Sequence, residues 1–180
     1  MNFSLSTRGP VLAAVLPGTL HGCASTQMES TLNPDASTRS YRRVLVEFYL
    51  TELEDRELVE DVFAEGSTPG TIFVPSHTVF IPGTRYREAD FIRLLKEHEI
   101  EAILRSGLVA ARSESGLVEG ATMSHPSARF ELSLVDTEDG VTVWRSTAET
   151  EGNPLATWDD LLRSLERKTI DQLGKDGLVR

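Results

Sequence analysis

Between residues 43 and 109 the spacing of apolar side chains switches back and forth between period two and period 3.6. No other feature of the chain constrains its fold as tightly. Arg43–Leu50 (RVLVEFYL) is β-branched and aromatic, a near-continuous apolar run that suits a strand buried on both faces. Over Thr51–Glu65 the period changes, and Leu58, Val59, Val62 and Phe63 share one helical face with acids opposite. Thr51 or Asp55 can cap its start, while Gly66 and the Thr68-Pro69-Gly70 turn end it. Thr71–Phe80 returns to strand chemistry, and Pro75 within it demands an edge or a bend. Glu88–His98 places Phe91, Ile92 and Leu95 on one face, with Leu94 at its border, and predicts a second helix. Ile100–Val109 predicts a third strand.

Beyond it the signals thin out and then return. Arg112–Ser127 (RSESGLVEGATMSHPS) is polar, glycine-bearing and without periodicity, so it reads as an inserted loop. Ala128–Asp136 alternates Phe130, Leu132 and Leu134 on one face, and Asp139-Gly140 then turns the chain into a second alternating run containing Val141, Val143 and Trp144. That is a hairpin signature. Thr157-Trp158-Asp159-Asp160 is a capping box opening a last helix, whose buried stripe is Leu161, Leu162, Leu165, Thr169 and Leu173, with Gly174 and Gly177 as its stop. Alternating elements demand parallel strands with helical crossovers, and the hairpin adds antiparallel ones. The expected fold is a single α/β (α+β) domain over residues 41–180. Its order is β-α-β-α-β-β-β-α, with a mixed five-stranded sheet and three helices.

Residues 1–40 follow different rules. Met1–Pro10 is polar with Arg8 as its only charge, Val11–Leu20 (VLAAVLPGTL) is a short apolar stretch, and Leu20-His21-Gly22-Cys23 follows it. This is the layout of a secretory signal and too short for a membrane span. Cys23 is the single cysteine of the chain, which excludes an internal disulfide framework and a thiolate zinc site. The segment resembles the lipobox of bacterial lipoproteins: Leu20, three before the cysteine, and the small Gly22 match signal-peptidase recognition, while His21 departs from the usual small residue. The resemblance implies a signal peptide over 1–22 and a mature chain beginning at Cys23, whose thiol and amine carry acyl chains such as palmitate. Several chains on one residue anchor firmly, since each buried methylene contributes about 0.8 kcal/mol. Ala24 stands where an aspartate would mark inner-membrane retention, so the resemblance points to the outer membrane with the folded part facing the periplasm. Ala24–Ser40, rich in Ser and Thr, reads as a flexible tether behind the lipidated Cys23, making 23–40 a linker.

A second resemblance covers most of residues 42–180. VLVEFYL, RELVEDVF, VPSHTVF, the helix running to LLKEHEIEAIL, then DTEDG, VWRS and DDLLRSLERKTIDQL closing on DGLV are similar in pattern to a family of uncharacterised small bacterial envelope lipoproteins. That family is similar in topology to the amino-terminal sheet-and-helix domain of the periplasmic protein TolB. No activity comes with the resemblance.

The chemistry-bearing residues form no catalytic pattern. His77, His98 and His125 have no His or Cys at metal-ligand spacing, and no HExxH is present. Ser76 and His77, adjacent in a strand, would point to opposite faces and so could not pair. There is no GxSxG elbow, and Gly66–Thr71 lacks the lysine and following helix of a phosphate cradle. Glu60-Asp61 and the other acidic pairs fall on expected solvent faces. Arg85, Tyr86 and Arg87 make a basic-aromatic spot read as solvated helix entry, and Trp144 and Trp158 read as packing. The formal charge of −10 opposes phosphate binding, so nucleic acid is not an expected partner. The expected protein is therefore a lipid-anchored, non-catalytic envelope domain without cofactor or metal. Its partners would be the membrane through the acyl chains on Cys23 and an envelope protein or copies of itself. The alternatives are a carrier with a small-ligand or lipid groove between the sheet and residues 112–127, and a cryptic hydrolase using Ser76, Ser124 or a histidine.

Overall fold

The computed structural model describes residues 23–36, 39–118 and 121–180. The proposed signal segment, Leu20 and Gly22 included, lies outside them. In chain order the elements are β1 (Ala24–Leu32), β2 (Arg43–Tyr49), α1 (Leu53–Glu65), β3 (Ile72–Pro75), α2 (Glu88–Glu97), β4 (Ala102–Val118), β5 (Ala121–Asp136), β6 (Thr142–Gly152) and α3 (Trp158–Lys175), with 3₁₀ turns at Pro34–Ala36 and Ser76–Thr78. They build one mixed sheet of six strands in the order β1-β6-β5-β4-β2-β3. β2 pairs in parallel with both β3 and β4, and every other pairing is antiparallel. Among the described residues no helix is long and apolar enough to cross a membrane.

The two crossovers explain the layers. From β2 the chain steps outward to β3 through α1, then passes back across β2 to β4 through α2. Two right-handed crossovers running in opposite directions put their helices on opposite faces. One core accordingly joins Val44, Val46 and Phe48 of β2 to Val59, Val62 and Phe63 of α1 and to Leu161, Leu162 and Leu165 of α3. The second core, on the other face, gathers Leu45, Ile103, Val74, Phe80, Leu95 and Ile100 under α2. Consecutive Val44, Leu45 and Val46 are all fully buried, as a strand covered on both faces requires.

The sheet has six strands where five were expected, because Ala24–Leu32 is an edge strand paired with β6 from Ala24↔Gly152 to Leu32↔Trp144. It is not a tether. Its hydroxyl-rich composition is compatible with a strand because the inward hydroxyls find partners. Thr26 Oγ1 lies 2.9 Å from both Thr150 Oγ1 and Ser164 Oγ, and Ser30 Oγ donates to Asp176 Oδ2 at 3.2 Å. The expected loop over 112–127 is also a correction. Pairing of β4 with β5 continues through Arg112↔Ser127 to Val118↔Ala121, so the segment is the outer part of a long hairpin. It runs past the ends of the neighbouring strands, where no helix imposes an apolar period.

Smaller differences have equally local causes. α1 is capped at Glu52 without a side-chain bond, and not by Thr51 or Asp55. Leu58 is 40% exposed, and Glu60 takes the inward position beside Val59 and Phe63. On α2, Ile92 is exposed and Leu94 packs inward. Gly174 lies within α3, and Gly177, at φ +76°, makes the stop. Other expectations match. Thr157 Oγ1 accepts the Asp160 N–H while Asp160 accepts that of Thr157, and α3 buries the five residues of its expected stripe. Gly140 turns the β5–β6 hairpin at φ +71°, and Pro75 ends the outermost strand.

Candidate functional site

The densest polar cluster is built around a carboxylate that the sequence placed in solvent. Glu60 is 0% exposed. Its position on the stripe of Val59 and Phe63 carries it inward, and the first turn after β3 closes over it. Oε1 accepts from the Phe48 N–H at 3.2 Å, Arg56 Nε at 3.2 Å and Ser76 Oγ at 2.8 Å. Oε2 accepts from the His77 N–H at 3.1 Å and lies 3.1 Å from His77 Nδ1. Arg56 Nη2 also donates to Ser76 Oγ at 3.1 Å, and His77 Nε2 reaches Asp61 Oδ1 at 3.4 Å.

Ser76 and His77 therefore share one partner, contrary to the strand expectation, because Pro75 ends β3 and a 3₁₀ turn follows. The order is serine–glutamate–histidine, with the carboxylate in the middle. A serine nucleophile needs the imidazole next to its hydroxyl. Here the Ser76 proton goes to Glu60, its oxygen accepts from Arg56, and the residue is 1% exposed. The arrangement is a clasp: one buried carboxylate ties α1 to the β2 backbone and to the turn after β3. The signal for it was present in the sequence, an acid on the apolar stripe with an arginine one helical turn before.

The other sequence candidates fall apart from one another. His98 caps the C-terminus of α2, and His125 is exposed on β5. Ser124 belongs to the outer hairpin. Tyr86 packs edge-on to Phe80 at 5.4 Å and its hydroxyl accepts the Ile81 N–H, so it holds the second core together. Trp144 is buried, its indole donating to Asp176 at 2.8 Å, and Trp158 lies against Phe130. Among the described residues no three His, Cys, Asp or Glu side chains converge as metal ligands.

What remains exposed is surface. On the face opposite α1 and α3, beyond the reach of α2, the sheet is open and forms a concavity of about 950 Å³ between Tyr49, Arg105, Glu131, Arg145 and Glu29. Arg105 donates to Glu47 at 2.9 Å, and the Tyr49 hydroxyl donates to the same carboxylate. Residues 112–118 and 121–127 pair with each other and continue the sheet, and at their base lies a smaller concavity of about 340 Å³ that includes Arg112 and Ser127. At one end of the sheet, Cys23 is exposed with a free thiol, and its carbonyl accepts the Asn153 N–H. It stands directly before β1.

No protein-family model and no curated protein matches the chain. Its fold is similar to that of PelC from Paraburkholderia phytofirmans, solved as a dodecamer, with a TM-score of 0.53 at 15% identity over 82% of this chain and 97% of that one. Lower-scoring likenesses include lipoprotein GNA1162 from Neisseria meningitidis, with a TM-score of 0.47 at 18% identity over 74% of this chain and 99% of that one. Another is the DUF330 protein XCC0632 from Xanthomonas campestris, with a TM-score of 0.48 at 11% identity over 82% and 91%. At 15% identity, what the chain shares with PelC is the fold.

Proposed function

We propose that this chain is an envelope lipoprotein, anchored by acyl chains on Cys23 after removal of residues 1–22 and facing the periplasm from the outer membrane. Its folded part acts by binding protein, another envelope component or further copies of itself, and not by catalysis. The observation that carries the binding role is β1, a nine-residue sheet edge that no described strand covers. An unprotected edge of that length is a template for pairing with another chain. The lipobox resemblance at Leu20, Gly22 and Cys23 supports the anchor, and the likeness of the fold to PelC, solved as a dodecamer, is a precedent for assembly. The buried, fully engaged Ser76 and Glu60 support a non-catalytic reading.

Two measurements test the proposal. Cys23→Ala is expected to release the protein from membranes and abolish incorporation of labelled fatty acid; wild-type chain recovered unlabelled and soluble would remove the anchor. Crosslinking in intact envelopes, followed by purification and mass spectrometry, is expected to recover a discrete partner or a second copy. Recovery of uncrosslinked chain alone would remove the binding role.

A further inference from the structure

The backbone of β1 specifies its own partner. The Asn33 N–H donates to the Val143 carbonyl and the Asn153 N–H to the Cys23 carbonyl, so in the antiparallel ladder with β6 the odd-numbered residues form the hydrogen-bonded pairs. The N–H and C=O groups of Ala24, Thr26, Met28, Ser30 and Leu32 consequently point away from β6, and among the described residues nothing hydrogen-bonds them. β1 has no proline, no lysine and no register shift, the devices that usually blunt an edge. The opposite edge is short and blocked. β3 is four residues long and ends in Pro75, and the Phe73 N–H is taken by Ser67 Oγ at 2.9 Å.

The strand also reads nearly the same in both directions, A-S-T-Q-M-E-S-T-L. Turned about Met28, hydroxyl residues meet hydroxyl residues, the apolar ends meet each other, and Gln27 meets Glu29, an amide donor against a carboxylate. We infer that β1 pairs antiparallel with β1 of a second copy of this chain, on a two-fold axis through Met28. Other registers keep the free groups in phase, but only this one uses all five outward-facing residues, about ten hydrogen bonds at two per residue. It also keeps side-chain faces matched, so two six-stranded sheets become continuous with α3 of each copy on the same side. The two Cys23 residues then lie at opposite ends of the seam, and both reach one bilayer when the joined sheet lies along its surface. This names the partner within the protein-binding reading proposed above and rests on that reading, but not on the acyl anchor.

The test is disulfide trapping of the full chain in intact envelopes, with differently tagged copies carrying Gln27→Cys and Glu29→Cys and the wild-type chain as control for Cys23. Directly opposed positions lie within disulfide reach, while same-site pairs sit on the longer diagonal, so the mixed pair is expected to crosslink at least about tenfold more than either variant with itself. Equal yields for all pairs, or none for the mixed pair, overturn the inference. Ser30→Pro removes an outward N–H together with the hydroxyl bond to Asp176, and Ser30→Ala removes that bond alone; the proline variant is expected to abolish trapping and the alanine variant to keep it, both with unchanged circular dichroism. Thr31→Pro, whose N–H belongs to the β6 ladder, is expected to lower the melting temperature. Trapping that survives Ser30→Pro also overturns the inference. If trapping fails while crosslinking recovers another envelope protein, the self-pairing is wrong and the binding role stands; if both fail, both are wrong.

Discussion

β2, β3 and the first part of β4 run parallel between α1 on one face and α2 on the other, whereas β1, β6 and much of β5 have α3 on one face and leave the other open. The first region is held by apolar burial on both faces, with Val44, Leu45, Val46 and Phe48 all at 0% exposure. The second is held on one face by Leu132, Leu134 and Trp144, and at its edge by hydroxyls. A covered sheet advertises itself in sequence as an apolar run, while a half-covered one can meet its packing needs with Ser and Thr. The two regions should therefore answer differently to substitution.

The largest effect is expected where both faces are covered. Phe48 contacts Phe63 at 5.2 Å and Phe130 at 6.4 Å between ring centres. Phe48→Ala is expected to cost about 3–5 kcal/mol in urea unfolding, by lost transfer energy and a cavity that rigid neighbours cannot close. The polar clasp of the same region comes next. Glu60→Gln keeps the shape but removes the charge and sets an amide N–H₂ against existing donors, for an expected loss of about 2–3 kcal/mol. A loss near zero would show that the clasp is dispensable and that apolar burial alone holds this half.

The edge region should respond less. Thr26→Val keeps the volume and removes the hydroxyl that bridges Thr150 and Ser164; the expected loss is about 1 kcal/mol. A value as large as that of Phe48→Ala would break the comparison, placing the edge strand in the core of the stability and not at its margin.

The same contrast explains what the sequence disclosed. The β2–α1–β3 and α2–β4 units were legible because burial on both faces forces a period, and α3 was legible from its capping box and stripe. β1 was missed because ASTQMESTL satisfies its inward side with hydroxyls, a composition that chains also use when they do not fold at all. The outer hairpin was missed because its residues pair with each other beyond the core, where no apolar alternation is required. For the site, the reading of Cys23 as a lipid anchor rests on its neighbours in sequence and belongs to the proposal. Glu60 left only a partial mark in the sequence, an acid on the apolar stripe one turn after Arg56, because its other donors, Ser76 and the His77 N–H, are brought to it only by the turn after Pro75.

The smallest effect is expected at the seam between the two regions, where α3 crosses α1. Gly66 lets the Glu166 carboxyl approach so closely that a Cβ there would collide with its Oε1. Burial raises the pKa of Glu166 above the ordinary 4.5, with Arg167 and Arg163 opposing the shift in part. A carboxyl whose folded pKa is raised contributes most to stability below its unfolded pKa and loses that contribution as pH rises through the folded one. Wild-type protein should therefore lose stability relative to Glu166→Gln as pH climbs from about 4 to neutrality. Because the group is half-exposed, solvent screening keeps the difference on the order of a few tenths of a kcal/mol. Thermal melts of both proteins at pH 4 and pH 7 check this: the amide variant should gain on the wild type only at the higher pH. A gain equal at both values would assign the effect to packing over Gly66, and a loss at pH 7 would mean that the arginines of α3 outweigh burial at this crossing.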